Sequence, residues 1–97
     1  MMIEALTLHD FALLIGQAFT AHAAQGTVEL RLSEASPLRP SGVGRNEPFS
    51  LMFVGSRDSL LSQGMYALEH AVLPGLEVFI VPISASDAGV QYQAIFN

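Results

Sequence analysis

Most of the chain alternates between apolar and polar positions with a period of two. Val28, Leu30 and Leu32 fall on one side of an extended segment, while Thr27, Glu29, Arg31 and Ser33 fall on the other. That is the pattern of a strand with one face buried and one wet. A shorter strand is expected just before it, over residues 17–23, with Gln25-Gly26 as the turn. Four more strands are predicted at Phe49–Val54, Gly64–His70, Leu76–Ile83 and Val90–Phe96. The spacers 55–59 and 84–89 between them have turn composition. Only one stretch has helical spacing: Leu8, Phe11, Ala12, Leu14 and Ile15 form a stripe, with Gly16 placed to stop it. Thr7 and Asp10 before that stripe are spaced as a capping box. Short strands in sequence, joined by short connections, predict a mainly β domain. The expected fold is an antiparallel meander of about six strands, a rolled sheet or small barrel, with one short N-terminal helix over an open end or face. Residues 1–97 are read as one such domain, with no internal repeat.

Two strands depart from the alternation. Phe49–Val54 is apolar on both sides, with Phe49, Leu51 and Phe53 on one and Met52 and Val54 on the other. Leu76–Ile83 likewise sets Leu76, Val78 and Ile80 against Phe79, Val81 and Ile83. A strand apolar on both faces is either covered on both or leaves a patch exposed. The second face, around Met52, Val54, Phe79, Val81 and Ile83, is therefore the candidate partner-binding surface. The alternative is cover from within the monomer by Phe11, Leu14 and Ile15.

Composition sharpens this picture. Hydrophobic residues make up 51% of the 97 and charged residues only 13%. Disorder is thereby disfavoured, and part of the surface is expected to be apolar. The net charge is −5, with four arginines and no lysine, which argues against binding to nucleic acid or to anionic membranes. No uninterrupted apolar run approaches the ~18 residues of a membrane span. The absence of cysteine removes disulfides, thiolate catalysis and cysteine-ligated metals. The N-terminus lacks the basic region of a signal peptide, and a cytoplasmic location is the expectation.

Candidate chemistry is sparse. His9, His22 and His70 show no metal-ligand spacing, and no metal or other cofactor is expected. A hairpin with a four-residue loop places His70 opposite Glu77, whereas a five-residue loop would oppose Glu69 to Glu77. The first register is preferred, and its His70–Glu77 pair is the one candidate acid–base dyad. It reads more simply as a hairpin-end pair. No nucleophile elbow surrounds Ser41 or Ser56. Gly42-Val43-Gly44-Arg45 lacks the helix that would make it a phosphate site. The proline-rich stretch Ser36–Pro48 is expected to be the longest exposed loop, and its Arg39 and Arg45 are candidates for contact with an acidic partner. Pro82, which has no N–H, is expected on an edge or near a strand end.

The segments Glu47–Phe53, Gln63–His70, Leu76–Ile83 and Tyr92–Asn97 resemble an uncharacterised family of small bacterial domains. Members of that family tend to be encoded beside phage-tail-collar-type proteins. The resemblance implies an accessory or structural role in a tail-like assembly and brings no catalytic residues. Three functions therefore stand: a non-enzymatic structural or protein-interaction module that meets a partner or itself, a small-ligand-binding barrel lined by Tyr66, Tyr92 and phenylalanines, and a small enzyme using His70 and Glu77.

Overall fold

The computed structural model describes residues 6–38, 48–73 and 75–96. Helix α1 (Leu8–Ala12) is followed by β1 (Ala18–Ala23), β2 (Gly26–Pro37), β3 (Phe49–Gly55), β4 (Gly64–Glu69), β5 (Leu76–Ser86) and β6 (Gly89–Phe96). All pairings are antiparallel, and the strands close into a barrel in the order β1-β2-β3-β6-β5-β4. Thr7 caps α1, its hydroxyl accepting from the Asp10 N–H while the Asp10 carboxylate accepts from the Thr7 N–H at 2.8 Å. Gly16, at φ 94°, turns the chain out of the helix and into β1. The stripe is thus cut short: Leu14 is buried, but Ile15 lies past the helix end and is exposed.

The inward residues follow the alternation of the sequence. Val28, Leu30 and Leu32 of β2, Phe49, Leu51 and Phe53 of β3, and Val78 and Ile80 of β5 are buried. Tyr92 and Ala94 of β6 join them in a single core, with no buried charged side chain among the described residues. Both mouths are stoppered. At one, Phe11 of α1 packs on the stacked pair Phe49 and Phe96, with ring centroids 5.8 and 5.4 Å away. At the other, Leu61 is fully buried and its N–H donates to the Tyr92 hydroxyl at 3.0 Å.

The barrel repeats itself although the sequence does not. β2 carries a bulge at Ser33 and β5 carries one at Ile83, 50 positions later. With the bulges aligned, the pairs Arg31–Val54, Leu32–Phe53 and Glu34–Met52 correspond in register to Val81–Gln93, Pro82–Tyr92 and Ser84–Gln91. Each half consists of a plug, a short strand, a long bulged strand and a closing strand. The halves meet β3 to β6 and β1 to β4, so an approximate two-fold axis runs through the barrel wall at both seams.

Several boundaries differ from expectation. Ser36 and Pro37 belong to β2, paired with Ser50 and Phe49, and Pro48 is buried, so the loop begins later than its composition suggested. The turn after β1 is Ala24-Gln25, with Gly26 opening β2 at φ 135°. β5 runs on to Ser86, leaving only Asp87-Ala88 as the next turn. Pro82 agrees with its expectation: it lies past Ile80, the last β5 residue paired with β4, so β5 is an edge on that side, and it sits beside the Ile83 bulge.

Candidate functional site

Strand alternation, undisturbed by the helix, aims one set of apolar side chains away from the core. Met52 of β3 lies opposite Gln93 of β6, which lies opposite Val81 of β5, forming one row across three strands. Two residues along, Phe79 opposes Met65 of β4 and Ile95 opposes Ser50. Phe79, Ile83, Ile95 and Met65 are 45, 46, 52 and 60% exposed. Met52, Val54 and Val81, shielded by these neighbours, are half-buried. The five apolar residues singled out from the sequence are therefore on the outer wall. Helix α1 sits on a barrel mouth instead of covering them. Met65 and Ile95 extend the patch, and only the pairing of β4 with β5 and β3 with β6 reveals it. Arg39, Arg45 and the Ser41–Arg45 segment lie outside the described residues.

The patch itself is uncharged but has acids at its rim. β3 and β6 hold no charged residue, and β4 and β5 hold one each, Glu69 and Glu77; Glu77 lies two positions before Phe79 on the same face, and Glu34 of β2 pairs with Met52. Its polar members are amides and hydroxyls: Ser50, Gln91, Gln93 and Ser84, whose Oγ donates to the Gln91 Oε1 at 2.8 Å.

His22 and His70 each bond a side chain from a distant part of the chain. Leu68 pairs with Leu76 and Ala67 with Glu77, so the loop between β4 and β5 is longer than four residues and His70 does not face Glu77. The four-residue loop has the merit of keeping Glu69 from Glu77, but the barrel separates them by another route. Glu69 meets His22 across the β1–β4 seam at 2.5 Å, a contact no hairpin argument contains. Tyr66 and Leu68 accordingly share the inner face with Val78 and Ile80, while Phe79 points out. His70 Nδ1 accepts the Val72 N–H at 3.2 Å, which leaves Nε2–H to donate to the Gln17 Oε1 at 2.6 Å. The His70 ring also packs on Phe19 with centroids 4.7 Å apart. Among the described residues no group of three histidine or acidic side chains is placed to hold a metal ion, and no helix is long and apolar enough to cross a membrane.

The lumen offers little room for a ligand. Tyr92, Phe19, Phe53, Leu30, Leu32, Leu51, Leu68 and Ile80 are essentially fully buried within it. An open groove of about 390 Å³ lies outside, over Thr27, Glu29, Arg31, Val54, Ser56, Ser59 and Ala88. Arg31 on its wall donates to the Gly16 carbonyl, and Arg57 and Asp87 form an exposed ion pair at the same barrel end. Asp10 is held below the usual carboxylate range, chiefly by the Thr7 N–H and then by the Thr7 hydroxyl.

No curated protein and no solved structure matches the chain. A family model does: it covers residues 6–96, nearly the whole barrel from the helix stopper to the end of β6, and the chain therefore belongs to the family described as a domain of unknown function, DUF6916.

Proposed function

We propose that this domain is a non-enzymatic protein-interaction module that docks through the outer apolar wall of β3, β6, β5 and β4. The observation that carries this reading is a comparison within the molecule. Aligned on their bulges, Phe79, Val81 and Ile83 of β5 occupy the positions that Glu29, Arg31 and Ser33 occupy on β2. The latter three are exposed polar residues, so this architecture tolerates polarity there. Apolar side chains on the other wall contribute nothing that the barrel needs, and they carry the cost of exposing hydrocarbon to water. Their gain lies in covering that surface with another molecule.

Barrel closure shapes how docking occurs. With each strand paired on both sides along part of its length, recognition runs through side chains and not through addition of a strand. The resemblance to domains encoded beside phage-tail-collar-type proteins suits such a module, as an accessory of a tail-like assembly. The small-ligand reading loses ground to the packed lumen. The enzyme reading loses ground to the separation of His70 from Glu77.

The test is the double variant Phe79→Glu/Val81→Glu, compared with the unaltered chain by thermal melting and by co-purification from the native host. The expected result is an unchanged melting temperature with loss of one or more co-purifying chains. Collapse of the fold would make the wall structural and overturn the reading, as would an unchanged set of co-purifying chains.

A further inference from the structure

We infer that a short extended peptide carrying a lysine or arginine adds as a strand to the open edge of β2 at residues 27–29, within the groove of about 390 Å³. This site is separate from the outer wall and independent of the docking reading above. The pairing registers expose the edge. β2 is paired with β1 from Gly26 onward, but its first partner in β3 is Gly55, opposite Leu30. Beyond Gly55 the chain turns aside, with the Ser59 N–H donating to the Ser56 carbonyl and the Asp58 N–H to the Ser56 hydroxyl. Ladder groups alternate in direction along a strand. Leu32 bonds Gln17 and Gly16 on the β1 side, so Leu30 and Val28 point their ladder groups that way too. Thr27 and Glu29 point theirs the other way, into the groove. Neither β3 nor any turn or loop bond among the described residues reaches the Thr27 N–H, the Thr27 carbonyl or the Glu29 N–H.

Three adjacent ladder groups facing a groove are what an incoming strand pairs with. Elsewhere an open edge is blunted: Pro82, which has no N–H, stands where β5 has run past β4, whereas residues 27–29 carry neither proline nor bulge. The lining favours a peptide over other ligands. No aromatic ring borders the groove to stack a nucleobase. An anion would meet the Glu29 carboxylate, and Arg31 already donates to the Gly16 carbonyl. Charge then selects the sequence. A residue added opposite Glu29 sets its side chain beside that carboxylate, where a cation is favoured and an acid is not. The net charge of −5 draws the same kind of segment.

The experiment titrates the full isotope-labelled chain with two pools of capped hexapeptides, random except for lysine at the third position in one and glutamate there in the other. The lysine pool should shift the Thr27 and Glu29 amide resonances and slow their hydrogen exchange, with a dissociation constant at least tenfold below that of the glutamate pool. Glu29→Gln should erase that preference. Glu29→Pro removes a donor that serves no ladder bond within the barrel and should weaken binding at least tenfold. Ser59→Trp fills the groove from its facing lip, leaves β2 intact and should do the same, so the result stands even where the proline variant fails to fold. Binding that survives Ser59→Trp overturns the inference, as do shifts confined to residues outside the groove, Phe79 and Ile95 among them. The absence of any shift with either pool up to about 1 mM overturns it as well.

Discussion

The two long bulged strands hold equivalent places in the barrel and differ chiefly in one respect. Inside, Val28 and Leu30 of β2 stand against Val78 and Ile80 of β5, all buried, and only beside the bulge does a buried Leu32 stand against a half-buried Pro82. Outside, Glu29, Arg31 and Ser33 stand against Phe79, Val81 and Ile83. The shared inner pattern is what a closed six-stranded wall demands of any sequence, since each inward side chain fills volume that nothing else can fill. The outer difference is free of that demand. It therefore reports on something other than folding.

Breaking the inner equivalence should have the largest effect. Leu30→Ala and Ile80→Ala should each cost about 2–5 kcal/mol, read from urea denaturation, because each leaves a cavity in a packed lumen. A large gap between the two would show that the halves are equivalent in path but not in packing. Next comes Tyr92→Phe. It removes the acceptor for the buried Leu61 N–H and should cost about 1–3 kcal/mol, with amide exchange accelerating around Leu61 before it does elsewhere. Smaller again is the helix cap. Thr7→Ala should lower stability by about 1 kcal/mol at neutral pH. The Asp10 carboxyl is depressed in the folded state, so the capping contribution is full above the ordinary carboxylate range and is lost as pH falls through the lower folded value. Urea midpoints of Asp10→Ala and the unaltered chain should therefore converge as the pH drops below the ordinary carboxylate range. A gap of constant size throughout that descent would show that the Asp10 charge takes no part.

The smallest effect on the monomer belongs to the outer walls. Exchanging their characters with Phe79→Glu or Glu29→Phe should move monomer stability by no more than about 0.5 kcal/mol. Phe79→Glu should at the same time reduce the set of chains that co-purify through the outer wall, whereas Glu29→Phe should leave that set intact.

Local patterning made much of this legible. Alternation placed Val28, Leu30, Leu32 and the β3 phenylalanines inside, the Thr7–Asp10 spacing marked the helix start, and apolarity on both faces of two strands pointed to the outer patch. What stayed hidden was whatever depends on partners distant in sequence. His22 meeting Glu69 and Gln17 meeting His70 bring together residues about 50 positions apart, so weighing Glu69 against Glu77 within one hairpin favours a register the barrel does not adopt. Met65 and Ile95 look like ordinary strand residues until their neighbours are known. The internal two-fold relation is invisible in the letters because it lives in pairing registers and bulge positions. Only the inward residues are constrained by it, and only to be apolar.

The β1–β4 seam has a consequence for the order of events in folding. Each half of the barrel assembles from neighbouring strands, whereas the seam joins Thr20 to Glu69, Ala21 to Leu68 and His22 to Ala67 over just three positions. Closing it sets the loss of freedom of a long loop against a short stretch of ladder. The seam should accordingly zip last on the way to the native state and breathe first once there, so that the amides of β1 and β4 exchange with solvent ahead of those of β3 and β6.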